Sequence, residues 1–222
     1  MTHIRATIIL AAAVVSAATL PSIARAQLGR QQGLVEPNIA ADSTMLKLPY
    51  VNADIVQAIK DARPILSIVS LDSLLAAKSV TKPQRDSLYR HMFVHVDLNR
   101  GTDAEFLLIP GAGQRMTREF KEYRPWTSFA QFEREIGKYV RSNPGEVARL
   151  EQYVFIPIDI NTAGDSLVAT FAPIGVGTRR WIREFKEYRP WTSAEQFQRE
   201  IGKYVRGNPK EVSRLWRYVV IK

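Results

Sequence analysis

The sequence predicts an all-α chain of three tandem units, each opening with a hairpin of two short helices, set behind an N-terminal sorting signal and a flexible leader. Three observations carry this. The chain repeats itself: residues 118–128 and 183–193 both read REFKEYRPWTS. Within a repeat, Phe106, Ile109, Phe120 and Tyr123 fall at three-to-four spacing around a Pro-Gly turn, the pattern of two helices joined by a tight hairpin. No segment alternates apolar and polar residues with period two, so no strand is expected.

Residues 1–26 read as a secretory signal. Arg5 supplies the positive start, Ala6 to Leu20 form an uncharged apolar run, and Ala24-Arg25-Ala26 gives the small-x-small pattern of a cleavage site, leaving Gln27 as the mature start. The run is short for a membrane span, which needs roughly 20 residues; a retained anchor is the alternative. With no cysteine in the chain, neither a disulfide framework nor a lipid attachment site is available. Residues 27–46, with Gln31-Gln32-Gly33, Pro37 and Asp42-Ser43, lack apolar periodicity and read as a flexible leader.

The units follow as 47–96, 97–158 and 159–222. The last two share Gln131-Phe132 with Gln196-Phe197, Ile136 through Arg141 with Ile201 through Arg206, and Asn143-Pro144 with Asn208-Pro209, all at a period of 65. Their openings, Asp97-Leu98-Asn99 and Asp159-Ile160-Asn161, are 62 apart, so about three residues are inserted in the later unit. A more divergent first unit aligns without a gap: Leu48-Pro49-Tyr50-Val51-Asn52 with Ile109-Pro110-Gly111-Ala112-Gly113, and Arg63-Pro64 with Arg124-Pro125.

Within a unit, Asn99 and Thr102 are candidate caps for the first helix, as are Asn161 and Asp165 in the later unit. Arg-Pro-Trp-Thr-Ser must interrupt the helix, because proline disfavours the helical region at the residue before it. Thr127 or Ser128 can then cap a helix carrying Phe132 and Ile136 inward, and Asn143-Pro144 starts a last one. The aromatic residues Phe120, Tyr123, Trp126, Phe132 and Tyr139 read as core. The acid–base alternation of Arg118-Glu119, Lys121-Glu122 and Glu133-Arg134-Glu135 reads as a solvated helix face.

Asp97-Leu98-Asn99, then Ala104-Glu105-Phe106, Ile109-Pro110-Gly111-Ala112-Gly113, Thr117, Phe120 and Tyr123-Arg124, resemble the ComEA-type helix-hairpin-helix domain, with matching spacing from the asparagine through the arginine. The resemblance implies an exported protein that binds double-stranded DNA, since members of that family do so in natural transformation. The physics of such a turn is independent of the likeness. Glycines let the backbone turn tightly, and the following helix aims free N–H groups and its positive dipole end outward, where a phosphate fits. The candidate phosphate contacts are Gly111, Gly113, Arg115 and Arg118 in the middle unit, and Gly175, Gly177, Thr178, Arg179 and Arg180 in the last. Such contacts touch the phosphate backbone rather than the bases, so binding would be sequence-independent and salt-sensitive. In the first unit Tyr50-Val51-Asn52 replaces Gly-x-Gly and Asp54 would repel phosphate, so that hairpin is expected to be structural or protein-facing.

A net charge of +9 suits an anionic partner. Its distribution is uneven: residues 97–156 balance nine basic against nine acidic side chains, whereas 157–222 carry twelve and seven. The same fold also serves protein contacts. The extrinsic lumenal subunit of photosystem II is similar to it and binds no DNA, so the alternative is a periplasmic scaffold clamped onto a membrane complex. No catalytic residue, metal site or cofactor is expected. His91 and His95 stand four apart on a predicted helix but lack a third ligand.

Overall fold

The computed structural model describes residues 34–140, 143–173, 176–205 and 210–222. The expected signal at 1–26, residues 27–33 of the leader, Gly175 and the Asn208-Pro209 pair lie outside the described residues. The described chain is mostly helical. No helix among the described residues is long and apolar enough to cross a membrane.

Twelve α-helices among the described residues fall into three sets of four. The first set is α1 (Asp42–Met45), α2 (Ala53–Ala62), α3 (Ile68–Ala77) and α4 (Lys82–Leu88). The second is α5 (Asp103–Leu107), α6 (Gly113–Glu122), α7 (Phe129–Gly137) and α8 (Pro144–Glu151). The third is α9 (Asp165–Val168), α10 (Thr178–Glu187), α11 (Ala194–Gly202) and α12 (Lys210–Trp216), with a 3-10 turn over Ala169–Phe171 after α9.

Strands are present, contrary to the sequence expectation. β1 (Val96–Asp97) pairs in parallel with β2 (Val154–Phe155), and β3 (Ile158–Asp159) with β4 (Val219–Val220). Val35 bridges Met92 in the same sense. Each set of four helices is thus closed by its own first and last residues running side by side. Val96 N donates to Tyr153 O at 2.9 Å, and Ile158 N donates to Tyr218 O at 2.9 Å. Two-residue strands are too short to show alternation, so periodicity cannot reveal them.

The leader is also corrected. Residues 34–46 are the opening of the first set rather than a flexible segment. Leu34 and Met45 are buried, Asn38 is buried, and α1 stands where α5 and α9 stand in the later sets. Lys60 pairs with Asp42, Lys121 with Asp103 and Lys186 with Asp165, each at 2.7–2.8 Å, one ion pair repeated in all three sets. A four-residue helix has barely one turn and leaves no period to read.

Two side-chain clamps recur. Asn38, Asn99 and Asn161 each bond both backbone groups of a residue far along the chain, namely Ile65, Trp126 and Trp191. These asparagines therefore do not cap the first helices. Thr102 caps α5, in a capping box with Glu105, and Gly164 rather than Asp165 precedes α9. Arg63, Arg124 and Arg189, each followed by a cis proline, donate Nε and Nη2 to two carbonyls of their own set's opening segment. Ser128 caps α7, one of the two caps the sequence suggests, and Ser193 caps α11.

The cores are apolar and aromatic. One runs from Leu34 to Ile156 through the first two sets, and another from Phe155 to Val219 in the third. Phe120, Trp126 and Phe132 are buried together, and Trp126 Nε1 donates to Phe120 O at 2.7 Å, which satisfies the indole inside the core. Arg217 reaches back from the third set to donate to His95 O at 2.7 Å. His95 is itself buried against Glu36, with Nδ1 3.0 Å from Oε2.

Candidate functional site

The middle hairpin has the geometry the sequence suggests. Ile109 and Ala112 are buried and anchor the turn, while Gly111 and Gly113 are exposed with φ of 81° and 53°. Side chains other than glycine seldom adopt that left-handed region, so glycine is favoured there. Ala112 N donates to Ile109 O at 3.0 Å, whereas the amides of Gly111 and Gly113 meet no backbone carbonyl among the described residues. Helix α6 starts at Gly113, so the free N–H groups of its first turn face the same way. Arg115 and Arg118 are exposed on that first stretch of α6.

One flank of the turn is taken. Arg149 and Glu146 of α8 form a bidentate pair at 2.6 and 2.7 Å, and a Cβ on Gly111 would lie 3.0 Å from Arg149 Nη2. The guanidinium adds a positive group beside the turn, already matched by its carboxylate.

The last hairpin differs. Gly177 has extended backbone (φ −61°, ψ 134°) and precedes α10 without a side-chain cap. Gly177 does not take the left-handed conformation of Gly113, and six residues separate Phe171 from α10 where three separate Ile109 from α6, so the insertion lies just before α10. Thr178, Arg179 and Arg180 are exposed on the first turn of α10, so the cations of this unit are presented by a helix end rather than by a glycine turn. In the first set Tyr50 holds φ 63°, the conformation of Gly111, and Asn52 caps α2 by accepting from Ile55 N at 2.9 Å. Asp54 pairs with Lys78 at 2.9 Å.

Next to the hairpins lies an arrangement that sequence reasoning missed. Arg115 sits over the Tyr139 ring at 5.3 Å and Lys138 over the Tyr123 ring at 5.5 Å, while the two tyrosine hydroxyls meet at 3.0 Å. The third set repeats it: Arg180 over Tyr204 at 5.3 Å, Lys203 over Tyr188 at 5.6 Å, and hydroxyls 3.2 Å apart. Glu119 and Glu135, like their counterparts Glu184 and Glu200, are buried, which corrects the reading of a solvated face at those positions, whereas Arg118, Lys121, Glu122 and Arg134 are exposed as that reading has them. Lys138 and Arg134 both donate to Glu135, and Lys203 and Arg199 to Glu200. Tyr204 donates to Glu184.

The electrostatics follow from those bonds. Hydrogen bonds from Lys138 and then Arg134 hold the Glu135 carboxyl below its ordinary range, and Lys203 and Arg199 do the same for Glu200. Glu184 is held down by Arg183 and then Tyr204. The Tyr139 hydroxyl is pushed up by its bonds to Tyr123 and Glu119, and that of Tyr204 by Glu184 and Tyr188. The signal available in the sequence was a spacing: tyrosines 16 apart and glutamates 16 apart, each repeated once.

Elsewhere, a cleft of about 530 Å³ lies where the second and third sets meet, against Trp126, Thr127, Ile158 and Leu167. Its carboxylate, Asp159, is engaged by Asn161 N and Thr162 Oγ1. His91 and His95 do not share a helix: both follow α4, His91 exposed and His95 buried. No group of three or more metal-ligating side chains occurs among the described residues. Compared with models of protein families, with characterised proteins and with solved structures, this chain has no match.

Proposed function

We propose that this is an exported, non-catalytic protein that grips the phosphate backbone of double-stranded DNA without reading its sequence, as three tandem helix-hairpin-helix units of which the later two bind. The observation that carries the reading is the exposed left-handed pair Gly111 and Gly113 at the start of α6, with amides no backbone carbonyl takes. Two amides, a helix N-terminus and a nearby Arg115 are complementary to a phosphate oxygen. Arg179 and Arg180 offer the last unit's cations, in keeping with its excess of basic residues.

A retardation assay with duplexes of unrelated sequence tests this. All should be shifted equally at roughly 50 mM salt and released as salt rises. Replacing Arg179 and Arg180 by alanine should weaken binding, while replacing the surface lysines Lys60 and Lys82 should not. Absence of a shift at low salt, or equal losses from both pairs, overturns the reading.

A second reading, a periplasmic scaffold on a membrane complex, is favoured by one observation. Of the five large apolar side chains most exposed among the described residues, Ile39, Leu46, Tyr50 and Leu66 all belong to the first set of helices. Co-purification with an integral complex after gentle solubilisation supports it; recovery only as a free species counts against it.

A further inference from the structure

We infer that the paired cation–tyrosine faces of α6–α7 and α10–α11 are twin docking platforms for the phosphate backbone of duplex DNA, extending the contact beyond the hairpins. This rests on the DNA-binding reading above. The charges are stratified. The side chains of Glu135 and Glu200 are 11% and 10% exposed, whereas those of Arg134 and Arg199, which bond them, are each 65% exposed. At these pairs an approaching partner therefore meets the cations first, with Glu135 or Glu200 underneath.

The cations are also held before anything binds. Lys138 lies against a tyrosine ring and a carboxylate, Arg115 over a ring, and the third set repeats both placements. A long side chain already fixed in place loses less freedom on binding, which favours association.

The platform is not required to build a unit. The first set keeps the asparagine and arginine clamps but has Asp54 where Arg115 stands, Ser73 for Arg134, Ala77 for Lys138, and Leu74 for Glu135. Where Arg115 meets Tyr139, the first set has only the Asp54–Lys78 ion pair. The clamps thus follow the fold, and the platform follows the two units with cationic hairpin helices. Two copies of one positive face in a single chain suit a partner that repeats along its own length, as a phosphate backbone does and a folded acidic protein does not.

The test uses the mature chain and a duplex of arbitrary sequence across a salt series. Replacing Arg134, Lys138, Arg199 and Lys203 together by alanine should lower affinity about tenfold or more, and should flatten the log–log salt slope by roughly 2–4. Glu135→Gln with Glu200→Gln should do the opposite, tightening binding several-fold, because it removes the charge beneath the cations while keeping side-chain shape. This second variant keeps the test decisive should the alanine variant fold poorly. If the wild type binds and either set of changes leaves affinity and slope as they were, the platforms are overturned and the hairpin reading stands. If the wild type does not bind at all, both fall.

Discussion

Asn99 holds Trp126 across 27 residues by bonding both of its backbone groups, accepting from N–H at 2.6 Å and donating to C=O at 2.9 Å. It thereby pins the start of α7's approach to the opening of its own set. Asn99→Ala leaves both groups of Trp126 without a protein partner, at a cost of about 1–3 kcal/mol. In thermal unfolding the midpoint should drop by roughly 3–10 °C. Asn99→Asp, which keeps the acceptor and loses the donor, should fall between; a midpoint at wild type for both variants would refute the role.

Arg124 makes the companion clamp, with Nε 2.7 Å from Leu98 O, Nη2 2.6 Å from Gly101 O, and its guanidinium 5.5 Å from the centre of the Phe106 ring. A lysine carries one compact ammonium and cannot span both carbonyls while lying flat on the ring. Arg124→Lys should therefore recover less than half of the stability lost in Arg124→Ala. Equal stability of Arg124→Lys and wild type in a denaturant titration would show that charge alone suffices.

Gly101 is confined. A Cβ there would lie 2.5 Å from Val96 Cγ1, 2.7 Å from Asp97 O and 2.8 Å from Phe106 Cζ. Since one of these atoms is backbone, Gly101→Ala should destabilise by about 1–3 kcal/mol. The corresponding residue of the third set is Ala163, already accommodated and buried, so Ala163→Gly should cost about 1 kcal/mol or less. Comparing the two denaturation midpoints tests the difference, and similar losses would disprove the crowding.

Glu36 gives the chain an acid sensitivity with a definite sign. Burial pushes its carboxyl up, but the His95 hydrogen bond and the charges of His95 and Arg217 together outweigh this and hold it below its ordinary 4.5. A depressed carboxyl stabilises the fold fully above the unfolded value and loses that contribution as pH falls through the folded one. Glu36→Gln should lower stability at neutral pH, yet narrow its gap to wild type as pH falls below 4.5. Thermal midpoints of both proteins across that range decide it; a constant gap would exclude this carboxyl as the cause.

Much of the second and third sets was legible from residues. Repetition gave their period, Ser128 gave a cap, and Pro110-Gly111 gave the turn, because each depends on neighbours within a few positions. The candidate cations Arg115, Arg118, Arg179 and Arg180 stand exposed where the helix pattern put them. The glycine turn of the last unit did not follow, because an insertion changes where α10 begins, and Gly177 is left extended.

By itself the sequence determined helical content, tandem repetition and the position of the middle hairpin, all consequences of local preference and of apolar spacing along one segment. Only the tertiary structure decided that residues 34–46 open a third copy, that each copy is closed by a short parallel pairing of its ends, and that glutamates lie beneath a layer of cations and tyrosines. The physical reason is distance along the chain. Asn38 and Ile65, or Glu36 and His95, meet across 27 and 59 residues, and such pairings leave no periodic trace in the segments that make them.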